Sequence, residues 1–285
     1  MTLGHVLSII FGILLIAYGL KLRKQSRIDH SSPAIGFAEW PLQPIDFALL
    51  MWVLFMFLLL LPPAASSLLM QNAGDAQLDA QARNEQIALV SILSTHLPIL
   101  LFFGILLYSP MRGMLGKLSS VKTTVSTWVG AAKQSWKALL KAFPIFMLLA
   151  FGWHYLLVMI SELGIPINTD PQLLVTMMEQ TESMAFVMLI GFAAVFLAPI
   201  TEELLFRGIL FRYLRLNVCS LTKAAWISGA LFSAIHFHWG SLLPLAYLGY
   251  VLAKNYDHFG DIRIPILMHM FFNAISTIMM QLVRL

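Results

Sequence analysis

Apolar residues in this chain come in long runs separated by short polar loops. Crossing the hydrocarbon core of a bilayer takes about 20 predominantly apolar residues in a helix. Eight runs qualify, at residues 3–21, 45–63, 87–109, 143–163, 184–206, 222–238, 240–256 and 263–283. The pattern predicts an all-α fold, a polytopic transmembrane helical bundle of about eight spans. The sixth and seventh runs are nearly continuous and part only at His238–Trp239–Gly240. The first run lacks a basic segment before it and a small-residue cleavage site after it, so it reads as a retained span rather than a cleaved signal. The segment 117–141 is different in kind. Its lysines interleave with Trp128, Trp136, Leu139 and Leu140. That mixture suits an amphipathic helix lying in the headgroup region.

Composition supports the membrane reading. Of 285 residues, 59% are hydrophobic and only 11% charged, whereas a soluble domain carries about 25% charged residues. The net charge of +4 does not point to nucleic acid, because the charges sit in loops between apolar runs. The basic residues also choose sides. Sixteen of the 18 fall in, or at the span ends beside, the loops after spans one, three, five and seven, leaving only Arg83 and Arg284 elsewhere. Cytoplasmic loops carry an excess of Lys and Arg, so both termini are expected outside and these loops in the cytoplasm. With the single cysteine Cys219, neither an intramolecular disulfide nor a cysteine-based metal cluster is available.

Ionisable groups inside spans are costly unless paired or hydrated, and they mark function by default. Three constellations stand out: Glu202-Glu203-Leu-Leu-Phe-Arg207, Phe232-Ser-Ala-Ile-His236 and His269-Met-Phe-Phe-Asn273. Residues four apart share a helix face. Glu203 can therefore pair with Arg207, whereas Glu202 is turned about 100° away and has no local partner. His269 and Asn273 project together, and Phe232 shares a face with His236. His236 and His238 point to nearly opposite sides, so only one of them can face a common site. His5, His96 and His154 read as histidines hydrogen-bonded to neighbouring helices; His30 and His258 are loop residues. A carboxylate, two imidazoles and a carboxamide on three spans each need a partner, and the cheapest solution is that they meet. Such a set suits hydrolysis: the carboxylate and one imidazole take a proton from water, and the other imidazole and the amide donate to an oxyanion.

These motifs, in this order, resemble those of the CPBP intramembrane proteases. That family takes in type II CAAX prenyl endopeptidases and bacteriocin-processing or bacteriocin-immunity (Abi) proteins. Its pattern is E-E-x-x-x-R, F-x-x-x-H and H-x-x-x-N, and the resemblance covers roughly residues 143–283 with no departure at the key positions. It implies a helical bundle enclosing a membrane-embedded cavity in which a peptide bond is cut. It also implies that Glu202 and His236 activate water while His269 and Asn273 form the oxyanion hole. Glu203, Arg207 and Phe232 then support that set from behind. The family is commonly described as metalloproteases. Glu202, His236 and His269 would satisfy a catalytic zinc, which needs three protein ligands and an open position. Against zinc, the chain has no H-E-x-x-H helix, and a metal-bound His269 leaves Asn273 without a task. The favoured expectation is therefore water activated directly, with no cofactor required.

Residues 1–142 are accordingly expected to form N-terminal transmembrane helices ending in the interfacial helix, and residues 143–285 the catalytic bundle. The expected partners are the bilayer and a membrane-associated peptide or protein substrate, prenylated or bacteriocin-like, in a bacterial inner membrane. His269 lies six residues past Arg263, about 9 Å along a helix, which places the site in the cytoplasmic half. Pro199, three residues before Glu202, is expected to kink its span. Two other functions compete. One is a non-catalytic immunity or scaffold protein of the same fold. The other is a transporter with a proton relay, which lacks the paired broken spans that transporters show.

Overall fold

The computed structural model describes residues 44–72, 80–108, 127–167, 173–181 and 183–284. The first expected span, His5, His30 and residues 117–126 lie outside them. Among the described residues the fold is all-α, a helical membrane bundle. The helices are α1 (Pro44–Asn72), α2 (Ala80–Tyr108), α3 (Trp128–Glu162), α4 (Leu173–Gln180), α5 (Met184–Asn217), α6 (Leu221–Ala234), α7 (Leu242–Phe259) and α8 (Arg263–Arg284). Five of them, α1, α2, α3, α5 and α8, are long and apolar enough to cross a membrane. They match the second, third, fourth, fifth and eighth apolar runs. Their outward faces carry Trp52, Leu60, Ile105, Leu148 and Met188 exposed, the side-chain chemistry that lipid tails accept at no cost.

The sixth and seventh runs are two helices, α6 of 14 residues and α7 of 18 residues. Neither is among the five. At 1.5 Å per residue α6 is about 21 Å long, short of the roughly 30 Å hydrocarbon core. The break lies at Ile235–Ser241, where a 3₁₀ turn (Trp239–Ser241) leads into α7.

Residues 128–141 of the segment expected in the headgroup region are continuous with the span that follows. α3 runs 35 residues. Thr127 starts it by accepting the Gly130 N–H at 3.0 Å, and it continues through Pro144. Ala131, Ser135, Leu139 and Ala142 form its buried stripe, and Ser135 Oγ lies 3.0 Å from the Ile264 carbonyl.

The described residues sort into two compact units that interleave along the chain. One holds α3, the last part of α5 from Phe206, α6, α7 and α8 as far as Phe272. Its tightest packing is α6 on α7. A Cβ on Gly229 would stand 2.5 Å from the Ala246 carbonyl oxygen, and one on Gly249 would stand 2.6 Å from Gly229 Cα. Only glycine permits that approach, the small-residue crossing typical of membrane helices. α7 ends at Gly260, whose φ of +63° is the left-handed cap that favours glycine. The other unit holds α1, α2, α4, the first part of α5 up to Leu205, and α8 from Asn273. Its core includes Ala88, Met178, Phe186 and Ile190.

α5 is not wound uniformly. Ala193–Leu197 and Leu204–Phe211 are π-helical, on either side of an α turn Ala198–Glu203 that carries the two glutamates. π segments are rare and recur at functional sites.

Candidate active site

In the first unit Phe232, fully buried on α6, gathers the polar groups. The His236 ring lies 5.0 Å from it and the His269 ring 5.5 Å, both edge-on. The Arg207 guanidinium stands over its face at 4.8 Å. Arg207 is itself buried, and its Nη2 donates to the Gly249 carbonyl at 2.9 Å. His269 is 3% exposed and His236 is half-buried.

The end of α6 explains the F-x-x-x-H spacing. The backbone tightens there: the His236 N–H bonds to the Ser233 carbonyl at 3.2 Å and the Phe237 N–H to Ala234. The Phe232 carbonyl, which an α-turn would have paired with the His236 N–H, is left over. His236 Nδ1 takes it at 2.8 Å. A carbonyl only accepts, so Nδ1 carries the proton and, in the neutral ring, Nε2 carries a bare lone pair. That is the form of a base, and equally of a metal ligand whose other nitrogen is fixed by a carbonyl. The next residue, Phe237, has φ +48° and is 78% exposed. A bulky side chain in that region is strained, and such strain gathers at functional sites.

His238 is spoken for. Its Nδ1 accepts the Ser241 N–H at 3.1 Å and it caps the 3₁₀ turn. Of the two histidines in this stretch, His236 is the one whose ring packs on Phe232.

The second unit holds Glu202, Glu203 and Asn273. Glu203 is fully buried and Glu202 half-buried. The 100° step that separated their faces is an α-helix figure and applies within Ala198–Glu203. Beyond it, Leu204–Phe211 is π-wound, with i→i+5 bonds, so the four residues from Glu203 to Arg207 fall short of a full turn.

Asn273 has a partner that spacing did not reveal: its Nδ2 donates to the Ala194 carbonyl at 2.7 Å. The cause lies in the π segment. Ala198 N–H bonds to the Ala193 carbonyl, five residues back. The next rung would run from residue 199 to Ala194, but Pro199 has no N–H. The orphaned carbonyl goes to Asn273. Pro199 thus frees a backbone group two turns before the glutamates. An amide nitrogen has two hydrogens, so Asn273 keeps one for another acceptor.

His96, on α2, is bonded to a neighbouring helix as expected: its Nδ1 lies 2.8 Å from Thr201 Oγ1. Sequence reasoning passed over Thr201, which precedes Glu202 directly and is fully buried. A hydroxyl next to an intramembrane carboxylate was the available signal. His154 is exposed on α3. Within each unit, among the described residues, no three His, Cys, Asp or Glu side chains gather to hold a metal ion.

Fold and side chains together define a multi-pass helical membrane protein with carboxylates, histidines and an asparagine on its apolar helices. Comparison takes the description a step further. Residues 184–275 match the family model described as type II CAAX prenyl endopeptidase, Rce1-like, and so support a CAAX-type intramembrane protease family. The segment contains all three motifs. The chain is also similar to an uncharacterized 24.3 kDa protein of Escherichia coli, 37% identical over 78 residues. That stretch is 26% of this chain and spans about a third (36%) of the relative. No solved structure matches.

Proposed function

We propose that this protein is an intramembrane endopeptidase that hydrolyses a peptide bond of a membrane-associated substrate, in the manner of CAAX-type prenyl proteases. Glu202 and His236 activate water, which attacks the scissile carbonyl carbon. The proton passes to that pair and is returned to the leaving amine. His269 and Asn273 donate hydrogen bonds to the oxyanion. Glu203 and Arg207 hold α5, and Phe232 holds both histidines. The observation that carries the reading is the locked His236 ring, with Nδ1 spent on the Phe232 carbonyl and Nε2 left as a base. The match over residues 184–275 supports it independently. A bacterial inner membrane is the proposed location, and a lipidated peptide the proposed substrate class.

The same donors, two imidazoles and a carboxylate, are chemically a zinc set, and a metal held by Glu202, His236 and His269 would supply a more acidic water. Direct activation is preferred because it uses the second Asn273 amide hydrogen, the one not given to the Ala194 carbonyl. The test is cleavage of a quenched lipidated peptide by purified protein, wild type against Glu202→Gln, with and without chelator. General acid–base catalysis contributes about 10²–10⁴-fold. Glu202→Gln is expected to lose rate on that scale while still folded, and chelator to leave the wild type active. Loss to chelator that zinc restores would install the metal. A wild type that cleaves nothing across a broad peptide set would hand the fold to a binding or immunity role.

A further inference from the structure

Glu202 has a neighbour from outside the matched segment. His96 comes from α2, and its Nδ1 meets Thr201 Oγ1 at 2.8 Å. What else Thr201 does decides the direction of that bond. Its Oγ1 also lies 3.0 Å from the Leu197 carbonyl and 3.1 Å from the Ala198 carbonyl. Carbonyls only accept, and a hydroxyl has one proton. That proton goes to the backbone, so Thr201 Oγ1 accepts from His96 Nδ1–H. The histidine is therefore fixed in one tautomer and one orientation, with Nε2 uncommitted to this anchor. Thr201 is buried and joined by one peptide bond to Glu202.

The geometry points to His96 as a positioning residue for Glu202: through Thr201 it anchors the turn that carries the carboxylate. This rests on the protease reading for its catalytic consequence, but not for the geometry itself. The arrangement follows the rule that a reactive group is held by neighbours whose own rotamers are locked by hydrogen bonds. It also gives the N-terminal helices a task in a site whose motifs all lie after residue 200.

Two measurements test it on the full-length protein in nanodiscs. The first is the ring ¹⁵N spectrum of His96, assigned with His96→Asn. The expected result is a protonated Nδ1 whose resonance moves in Thr201→Val, which keeps the shape and removes the acceptor. The second is kinetics of His96→Ala, which loses the donor, beside His96→Asn, which keeps one where Nδ1 stands. The kcat of His96→Ala is expected to fall about tenfold or more, the scale for residues that orient a reactive group, with KM near wild type, and His96→Asn to recover it. A His96 Nδ1 that is unprotonated, or indifferent to Thr201→Val, overturns the proposal, and does so even if no substrate is ever cleaved. Wild-type kcat in His96→Ala, or no recovery in His96→Asn, overturns it while leaving the protease reading intact.

Discussion

Phe232 touches more of the site than any residue carrying chemistry. The His236 and His269 rings, the Arg207 guanidinium and the Phe206 ring all lie within 5.5 Å of it by centroid or cation distance. A cation over a desolvated ring is worth about 2 kcal/mol, and emptying a buried Phe to Ala costs about 3–5 kcal/mol. Phe232→Ala should therefore lower stability by that amount in denaturant or thermal unfolding, and Phe232→Leu, which refills volume without a ring, should recover much of the stability but not the turnover. Recovery of both by leucine would reduce Phe232 to a space-filler. The spacing in the sequence placed Phe232 on the face of His236. It did not show that Arg207, from α5, and His269, from α8, meet the same ring, because periodicity relates residues within one helix and says nothing of partners across two. The His236 tautomer was hidden for a related reason, since it depends on how the last turn of α6 tightens.

At the scale of elements, the winding of α5 was the least legible feature. The run from Met184 to Ile200 is apolar throughout, and nothing in its side chains says where five-residue bonds replace four-residue ones. Pro199 alone hinted at it. The hint leads to a double-mutant cycle on Asn273 and Pro199. Asn273→Ala strips the half-buried Ala194 carbonyl of its donor, and a carbonyl left unsatisfied away from water costs about 1–3 kcal/mol. In a Pro199→Ala background the restored N–H takes that carbonyl, so the same substitution should cost much less. A coupling of about 1 kcal/mol or more between the two is expected from unfolding measurements. Simple additivity would mean that the asparagine is not filling the proline's gap. The continuity of α3 teaches the complementary lesson. The change from Lys and Trp to Leu and Phe near residue 142 marks where a helix leaves the headgroups, not where it ends, for α3 runs on through Pro144 to Glu162.

For the molecule as a whole, the distribution of basic residues predicts the topology, and the short α6–α7 pair does not disturb that prediction. A hairpin that crosses twice and one that enters and returns both leave the loops before and after it on the same side. The loop after α5, with Arg212, Arg215 and Lys223 nearby, is therefore expected in the cytoplasm in either case. Cys219, the only cysteine, lies in that loop. An impermeant maleimide should label it in inverted vesicles and not in intact spheroplasts, and the opposite result would reverse the orientation. The hairpin's depth is separately testable. Its tip is pinned to α3 by Trp153 Nε1, which donates to the Trp239 carbonyl at 2.7 Å. Trp153 is twelve residues past Lys141, about 18 Å along the helix, well inside a hydrocarbon layer of about 30 Å. With α6 only about 21 Å long, the tip should stop within the bilayer. A Trp239→Cys probe in a Cys219→Ser background should accordingly stay unlabelled from outside. Ready labelling there would mean that α6 and α7 are full spans, and that His236 lies nearer the outer surface than a cytoplasm-facing peptidase site allows.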